Sequence, residues 1–168
     1  MAMTRRTWHK IASALTAAGL TASLTGPALA QTAAHSHDAA APHALSLNQG
    51  HKWATDEALR KGMGRIRALI APRLGDAHAG KLTATQYQDL AKQVEIEVGG
   101  IVASCKLDPK ADAVLHLVIA DLSKGTDAMA GKTAKLPSAQ GLVKVALAVN
   151  EYGSHFEHPG FKPIPNLH

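Results

Sequence analysis

Six apolar side chains recur at steps of three and four residues along one stretch of this chain, at Tyr87, Leu90, Val94, Val98, Ile101 and Cys105. This spacing places them on one face of an α-helix of about five turns. The stretch is preceded by Thr83-Ala84-Thr85-Gln86, which has the pattern of a capping box with Thr83 as the N-cap. The sequence therefore predicts a long amphipathic helix that must bury one face against other parts of the chain.

Three further segments carry the same periodicity, and each is bounded by residues typical of helix ends. They cover residues 55–71, 108–125 and 138–159. Thr55 is the predicted N-cap of the first segment, and Pro72 follows its end. Asp108 is the predicted N-cap of the next segment, and Gly125 is its predicted C-terminal glycine. Because no segment alternates with a period of two, the sequence indicates no β-strand.

Four amphipathic helices, joined by two short links and a longer one at about residues 123–137, predict an all-α fold, an antiparallel (up-down-up-down) four-helix bundle over residues 51–161. Residues 162–168 are then a C-terminal tail. With 168 residues the chain has room for one such domain. Gly99-Gly100 falls inside the second helix, where it is interpreted as permitting either a close helix approach or a local bend.

Residues 1–30 have the composition of an export signal, with cations followed by a moderately apolar stretch. A small-x-small pattern ends at Ala30, which predicts cleavage before Gln31. The pair Arg5-Arg6 fits a twin-arginine signal as well as an ordinary secretory one, and both interpretations stay open. No later stretch is long and apolar enough to span a membrane. We therefore expect a periplasmic, soluble protein.

Residues 31–50 are rich in Ala, His and small polar residues and lack apolar periodicity, which predicts a flexible arm. Without residues 1–30 the chain carries 15 basic and 13 acidic residues, a formal charge of +2. This weak charge and the scarcity of aromatic residues argue against a nucleic-acid partner. The single cysteine excludes an intramolecular disulfide and a zinc site made of several thiolates.

The predicted bundle gathers chemistry-bearing side chains at one of its ends, at His51, Cys105, His155 and His158. Imidazole and thiolate together favour copper, and imidazole alone also suits zinc. We therefore predict a metal site at this end. His155 and His158 are its first ligands, because their spacing lets both project from one helix face. His51 and Cys105 complete it.

The arm adds three histidines, His35, His37 and His43, which we predict to form an auxiliary capture site with fast exchange. The leading hypothesis is a periplasmic, non-catalytic metal-binding protein that buffers or delivers copper. The alternative is a structural or interaction module that docks another envelope protein and whose histidines are incidental.

Each predicted ligand also has an interpretation without a metal. His155 and His158 fit cations near a helix C-terminus, and Cys105 fits a small core residue. His116, off the main apolar stripe, fits a solvent-facing pair with Asp112.

Haem is the least favoured cofactor. Met63 and a late histidine are placed somewhat like the axial ligands of b-type haem-binding bundles, but Met63 also fits the core. The Cys-x-x-Cys-His attachment motif is absent. The motifs G-x-S-x-G and H-E-x-x-H and a Gly-rich phosphate loop are absent as well, so no enzyme activity is expected.

The chain resembles a family of small exported proteobacterial helical proteins, sometimes labelled DnrO-like, over about residues 45–161. The resemblance is carried by runs such as Lys52-Trp53-Ala54-Thr55-Asp56, Ile101-Val102-Ala103-x-Cys105-Lys106-Leu107 and Tyr152-Gly153-x-His155-Phe156-x-His158-Pro159-Gly160. It implies an exported helical domain and supplies no catalytic residue.

Overall fold

The computed structural model describes residues 44–167, which form α-helices and no β-strand. The helices are α1 (Glu57–Ile70), α2 (Leu74–His78), α3 (Ala84–Ser104), α4 (Pro109–Met129) and α5 (Ser138–His155). A short 3-10 turn, Ala71–Arg73, joins α1 to α2. The all-helical prediction is confirmed, with four long helices and the five-residue α2. Within this part of the chain, no helix combines the length and the apolar character needed to cross a membrane.

The helix starts follow local capping chemistry. Thr83 and Gln86 form both hydrogen bonds of the predicted capping box. Asp108 caps α4 as predicted, through a 2.9 Å bond from the N–H of Lys110. The N-cap of α1 is Asp56, so the assignment to Thr55 is wrong. The reason is that the Asp56 backbone is extended and its Oδ1 accepts the N–H of Leu59 at 2.8 Å.

Two helix ends differ from the prediction because tertiary contacts decide them. The α4 helix continues past Gly125 to Met129. Gly125 lies against α5, where a Cβ atom would stand 2.6 Å from Cγ2 of Val145. The α5 helix ends at His155, before the predicted stop, because the next residue, Phe156, is extended and bridges to Trp53.

The core is built from the apolar faces of the four long helices. Its largest fully buried side chains include Tyr152, Phe156, Leu59, Met63, Ile66, Ile70, Ile101, Leu115, Leu122, Met129 and Leu142. Met63 therefore belongs to the core. Along the predicted seam of α3, Tyr87, Leu90, Val94 and Ile101 are buried, and Val98 and Cys105 are partly buried against them.

Glycines allow the closest helix contacts. A Cβ at Gly141 of α5 would stand 2.8 Å from Cβ of Ala128 in α4. A Cβ at Gly62 of α1 would stand 2.7 Å from Cδ1 of Ile101 in α3. At Gly99 and Gly100 nothing lies within 4 Å of that position. The interpretation of these two glycines as a close helix approach is therefore wrong for the described chain.

The predicted signal peptide, the cleavage site between Ala30 and Gln31 and the histidines His35, His37 and His43 lie outside the described residues.

Candidate functional site

Trp53 joins the segment before α1 to the end of α5. Its N–H donates to the carbonyl of His155, and its carbonyl accepts the N–H of Glu157, both at 2.8 Å. The indole is buried, and its Nε1 donates to the carbonyl of Ser46 at 2.7 Å. We use the name Trp53 end for the region containing Trp53, Asp56, Cys105, Tyr152 and His158.

Asp56 connects two helices through one carboxylate. Its Oδ1 caps α1, and its Oδ2 accepts the N–H of Lys106, just after α3, at 2.5 Å. Burial alone would raise the pKa of Asp56. The bonds from Leu59, Lys106 and Cys105, together with the nearby charge of Arg60, nevertheless lower that pKa on balance. Asp56 is therefore a structural anion that fixes the start of α1 against the end of α3.

Cys105 is the C-cap that follows α3, and it is partly buried beside Asp56. Burial, the negative charge of Asp56 and the hydrogen bond to its carboxylate raise the pKa of the Cys105 thiol to about 11. The thiol is then protonated at neutral pH. Since the thiolate is the form that attacks electrophiles and binds metals, the geometry disfavours Cys105 in both roles.

His155 is the last residue of α5, with its ring turned back along its own helix. Its Nδ1 lies 2.8 Å from the carbonyl oxygen of Glu151 and 3.4 Å from Oε2 of the same residue. The side chain is only 17% exposed. This position near a helix C-terminus is where the helix dipole favours a cation.

His158 lies beyond the end of α5, so the helix-face geometry assumed for His155 and His158 is not present. Its Nδ1 is 3.0 Å from the hydroxyl of Tyr152, and its ring centroid is 5.1 Å from that of Phe161. Burial, followed by the charge of Arg60, lowers the pKa of His158. The ring is therefore neutral at pH 7 and packs within an aromatic cluster.

Tyr152 is the centre of this aromatic cluster. Its ring is fully buried and stacks on Phe156 at a centroid distance of 5.4 Å. Phe161 meets the same ring edge-on at 5.5 Å. Burial strongly raises the pKa of the Tyr152 hydroxyl. It therefore stays protonated and acts as a hydrogen-bonding group.

The remaining predicted ligand, His51, is exposed in a tight turn. Its backbone exchanges two hydrogen bonds with Asn48, at 2.8 and 2.9 Å. Gln49 and Gly50 between them both have positive φ, 51° and 87°. On α4, His116 is exposed, and its Nδ1 is 3.5 Å from Oδ2 of Asp112, in agreement with the solvent-facing interpretation.

No group of three or more His, Cys, Asp or Glu side chains that could hold a metal ion occurs among residues 44–167. The predicted ligands His51, Cys105, His155 and His158 are therefore not gathered into such a group. His155 and His158 instead contact Glu151 and Tyr152, and Cys105 contacts Asp56. At the Trp53 end, the bonds described here join separate segments of the chain.

The double role of Asp56 and the contact between Tyr152 and His158 did not emerge from the sequence. Asp56 carried the only local signal, because an acid before an amphipathic segment is a common N-cap. The other contact depends on the chain turning back after Phe156, which no local pattern indicates.

Comparison with protein-family models, with curated proteins and with solved structures finds no match to this chain.

Proposed function

We propose that this protein is an exported, non-catalytic helical domain that works by binding another protein of the cell envelope. The observation that carries the proposal is an apolar surface on α3. The resemblance to small exported helical proteins supports the exported and helical parts of the proposal. Export to the periplasm is supported by the pattern of residues 1–30, and it predicts a mature chain that begins at Gln31.

The apolar surface, which we name the α3 outer face, consists of Ile96, Gly99, Gly100, Val102 and Ala103. Ile96, Gly99, Gly100 and Ala103 follow the spacing i, i+3, i+4, i+7 and so share one side of the helix. Ile96 is 63% exposed and Val102 is 62% exposed. Val102 lies about 120° round the helix from Ile96 and extends the exposed apolar surface toward the C-terminal end of α3. Exposed apolar surface of this kind is typical of a protein contact site.

The groove beside this face adds contact area. It runs between α1 and α3 and is lined by Arg65, Ala68, Leu69, Gln93, Ile96 and Glu97. Arg65 and Glu97 form an ion pair at 2.6 Å at its edge, where the Arg65 side chain is 56% exposed. An apolar centre with charged groups at its rim is the usual composition of a protein interface.

We also propose the up-down-up-down order for the four long helices. Two contacts between α1 and α3 support it, Gly62 with Ile101 and Arg65 with Glu97. In these contacts the higher residue number in α1 faces the lower residue number in α3, as expected for antiparallel helices. The link of residues 130–137 between α4 and α5 is short enough to join antiparallel neighbours.

The test places a photo-crosslinking amino acid at Ile96 or at Val102 of the full chain produced in its native host. We expect one discrete adduct from each position, and we expect the change Val102→Ser to abolish the adduct formed from position 96. Leu147 of α5, which is 49% exposed, provides the matched control position. Absence of adducts from α3, or the same adducts from Leu147, would contradict the proposal.

A second candidate function, capture of copper or zinc, is favoured by one contact. The bond from Trp53 to the carbonyl of His155 holds His51, two residues away along the chain, in the neighbourhood of His155. The arm histidines His35, His37 and His43 precede this region in the sequence. An exchangeable site with few protein ligands fits this arrangement better than a closed four-ligand centre.

Metal titration decides between the two functions. The purified mature protein is titrated with Cu(I), Cu(II) and Zn(II), beside a variant that carries His155→Ala and His158→Ala. Sub-micromolar binding that the double change abolishes supports metal capture. Weak binding that survives the change leaves the protein-binding function as the better account.

A further inference from the structure

The residues after α5 return along the outside of the helices as an extended segment, which we name the C-terminal strap and define as residues 157–164. The strap contains Pro159 and Pro163 and forms neither helix nor strand. Proline lacks a backbone N–H and does not continue a helix. The backbone polar groups of the strap are therefore not paired within a helix and are free to bond to neighbouring side chains or to water.

Two side chains of the helices bind the backbone of the strap. Asn150 of α5 uses both ends of its amide, since its Nδ2 donates to the carbonyl of Ile164 at 2.9 Å and its Oδ1 accepts the N–H of Ile164 at 2.7 Å. Arg67 of α1 donates from Nε to the carbonyl of Lys162 at 2.5 Å. These contacts bind the peptide backbone and do not depend on which side chains the bound segment carries.

Two strap side chains supply the apolar part of the contact. Phe161 lies on Gly153, where a Cβ atom would stand 2.6 Å from Cδ1 of the Phe161 ring. Ile164, three residues later, is buried to 3% exposure. The helices thus provide one seat for an aromatic ring and one for an aliphatic side chain, separated by two residues of extended chain.

The strap contains a turn between its first residues and the part that contacts Arg67 and Asn150. Gly160 has a φ of +76°, and the N–H of Phe161 donates to the carbonyl of His158 at 3.0 Å. His158, Phe161 and Ile164 anchor the strap, and its other five residues are exposed, whereas the helices pack over many fully buried side chains. A segment with few buried contacts opens more readily than a helical core.

We propose that the groove formed by Arg67, Asn150 and Gly153 is a peptide-binding site that the C-terminal strap keeps occupied. Its external ligand is an extended segment of a partner protein with an aromatic residue followed three positions later by an aliphatic one. The strap acts as an intramolecular competitor, because a tethered segment is present at an effective concentration of the order of millimolar. This site is distinct from the α3 outer face.

The test uses the full chain with Phe161→Ala and Ile164→Ala, which weakens the strap, and a fluorescent peptide with the sequence of residues 157–168. We expect the weakened chain to bind this peptide at least tenfold more tightly than the unchanged chain, measured by fluorescence anisotropy. A peptide that carries the same two alanines should not bind.

Gly153→Ala in the weakened chain fills the aromatic seat and should abolish peptide binding. Gly75→Ala in the same background, where a Cβ atom meets nothing within 4 Å, is the matched control and should leave it unchanged. Loss of the helical circular dichroism of the weakened chain would overturn the proposal, because the strap would then be part of the core. Peptide binding that is equal in the weakened and unchanged chains, absent from both, or insensitive to Gly153→Ala would overturn it too. Neither result depends on the crosslinking outcome at the α3 outer face.

Discussion

The contact between α4 and α5 and the α3 outer face contain the same kinds of residue and use them in opposite ways. In the first, Gly125 and Gly141 bring two backbones together, with the carbonyl of each 2.8 to 2.9 Å from the Cβ position of the other. In the second, Gly99 and Gly100 have nothing within 4 Å of that position. Glycine within a helix therefore marks close packing in one place and an open surface in another.

The largest difference between the two regions should come from a core deletion. Leu142 of α5 is fully buried, so Leu142→Ala removes buried methyl groups and leaves a cavity. We expect it to lower the free energy of unfolding by about 2–5 kcal/mol, measured by urea denaturation. Ile96→Ala on the α3 outer face, at a side chain 63% exposed, should cost less than about 1 kcal/mol. Equal losses would contradict the assignment of the two positions.

Gly141→Ala tests the close approach directly. The added methyl group would stand 2.8 Å from the carbonyl of Gly125 and 2.8 Å from the N–H of Met129, both of them backbone groups. Because backbone cannot move aside as a side chain can, we expect a loss of about 1–3 kcal/mol in the free energy of unfolding. A variant as stable as the unchanged protein would mean that α4 and α5 can separate at no cost.

Gly100→Ala should act in the opposite direction. Its methyl group meets no neighbour, and alanine restricts the unfolded chain more than glycine does. We expect a gain of about 0.5–1 kcal/mol in the same denaturation experiment. A loss of stability at this position would show that the α3 outer face is covered by part of the chain or by a second copy.

Lowering the pH should produce the smallest change in stability. We expect this change to come from His158, which lies outside α3, because α3 contains no histidine. The pKa of His158 is lowered in the folded protein, so the folded state binds its proton less readily than the unfolded state. The stabilisation is complete above the ordinary value of 6.5 and is lost as the pH falls through the lowered pKa. We expect the melting temperature to fall between pH 8 and pH 5, and His158→Gln to reduce that fall.

The starts of α3 and α4 could be predicted from the sequence because their signals are local, whereas the N-cap of α1 was misassigned by one residue. Thr83 with Gln86, and Asp108 with Pro109, specify their caps within four residues. The role of Gly125 could not be predicted, since a glycine that ends a helix and one that admits a neighbouring helix look alike in sequence. The difference lies in Val145, twenty residues away.

The candidate site was harder to predict for a related reason. Grouping His51, Cys105, His155 and His158 by helix end places their backbones in one region without fixing where each ring points. The side chain of Cys105 is hydrogen-bonded to Asp56, and that of His158 to the hydroxyl of Tyr152. The Cys105 contact joins distant parts of the chain. The direction of each side chain depends on which neighbours bond to its polar atoms. Residue spacing in the sequence does not predict these bonds.

The pairing of Trp53 with His155 and Glu157 joins positions about a hundred residues apart along the chain. Closing so large a loop costs entropy before it yields any contact, so we expect these bonds to form after the intervening helices have assembled. Tension applied through the two termini would load the same bonds before any helix. Under such a pull the C-terminal strap yields first, and this junction yields next, ahead of the helices.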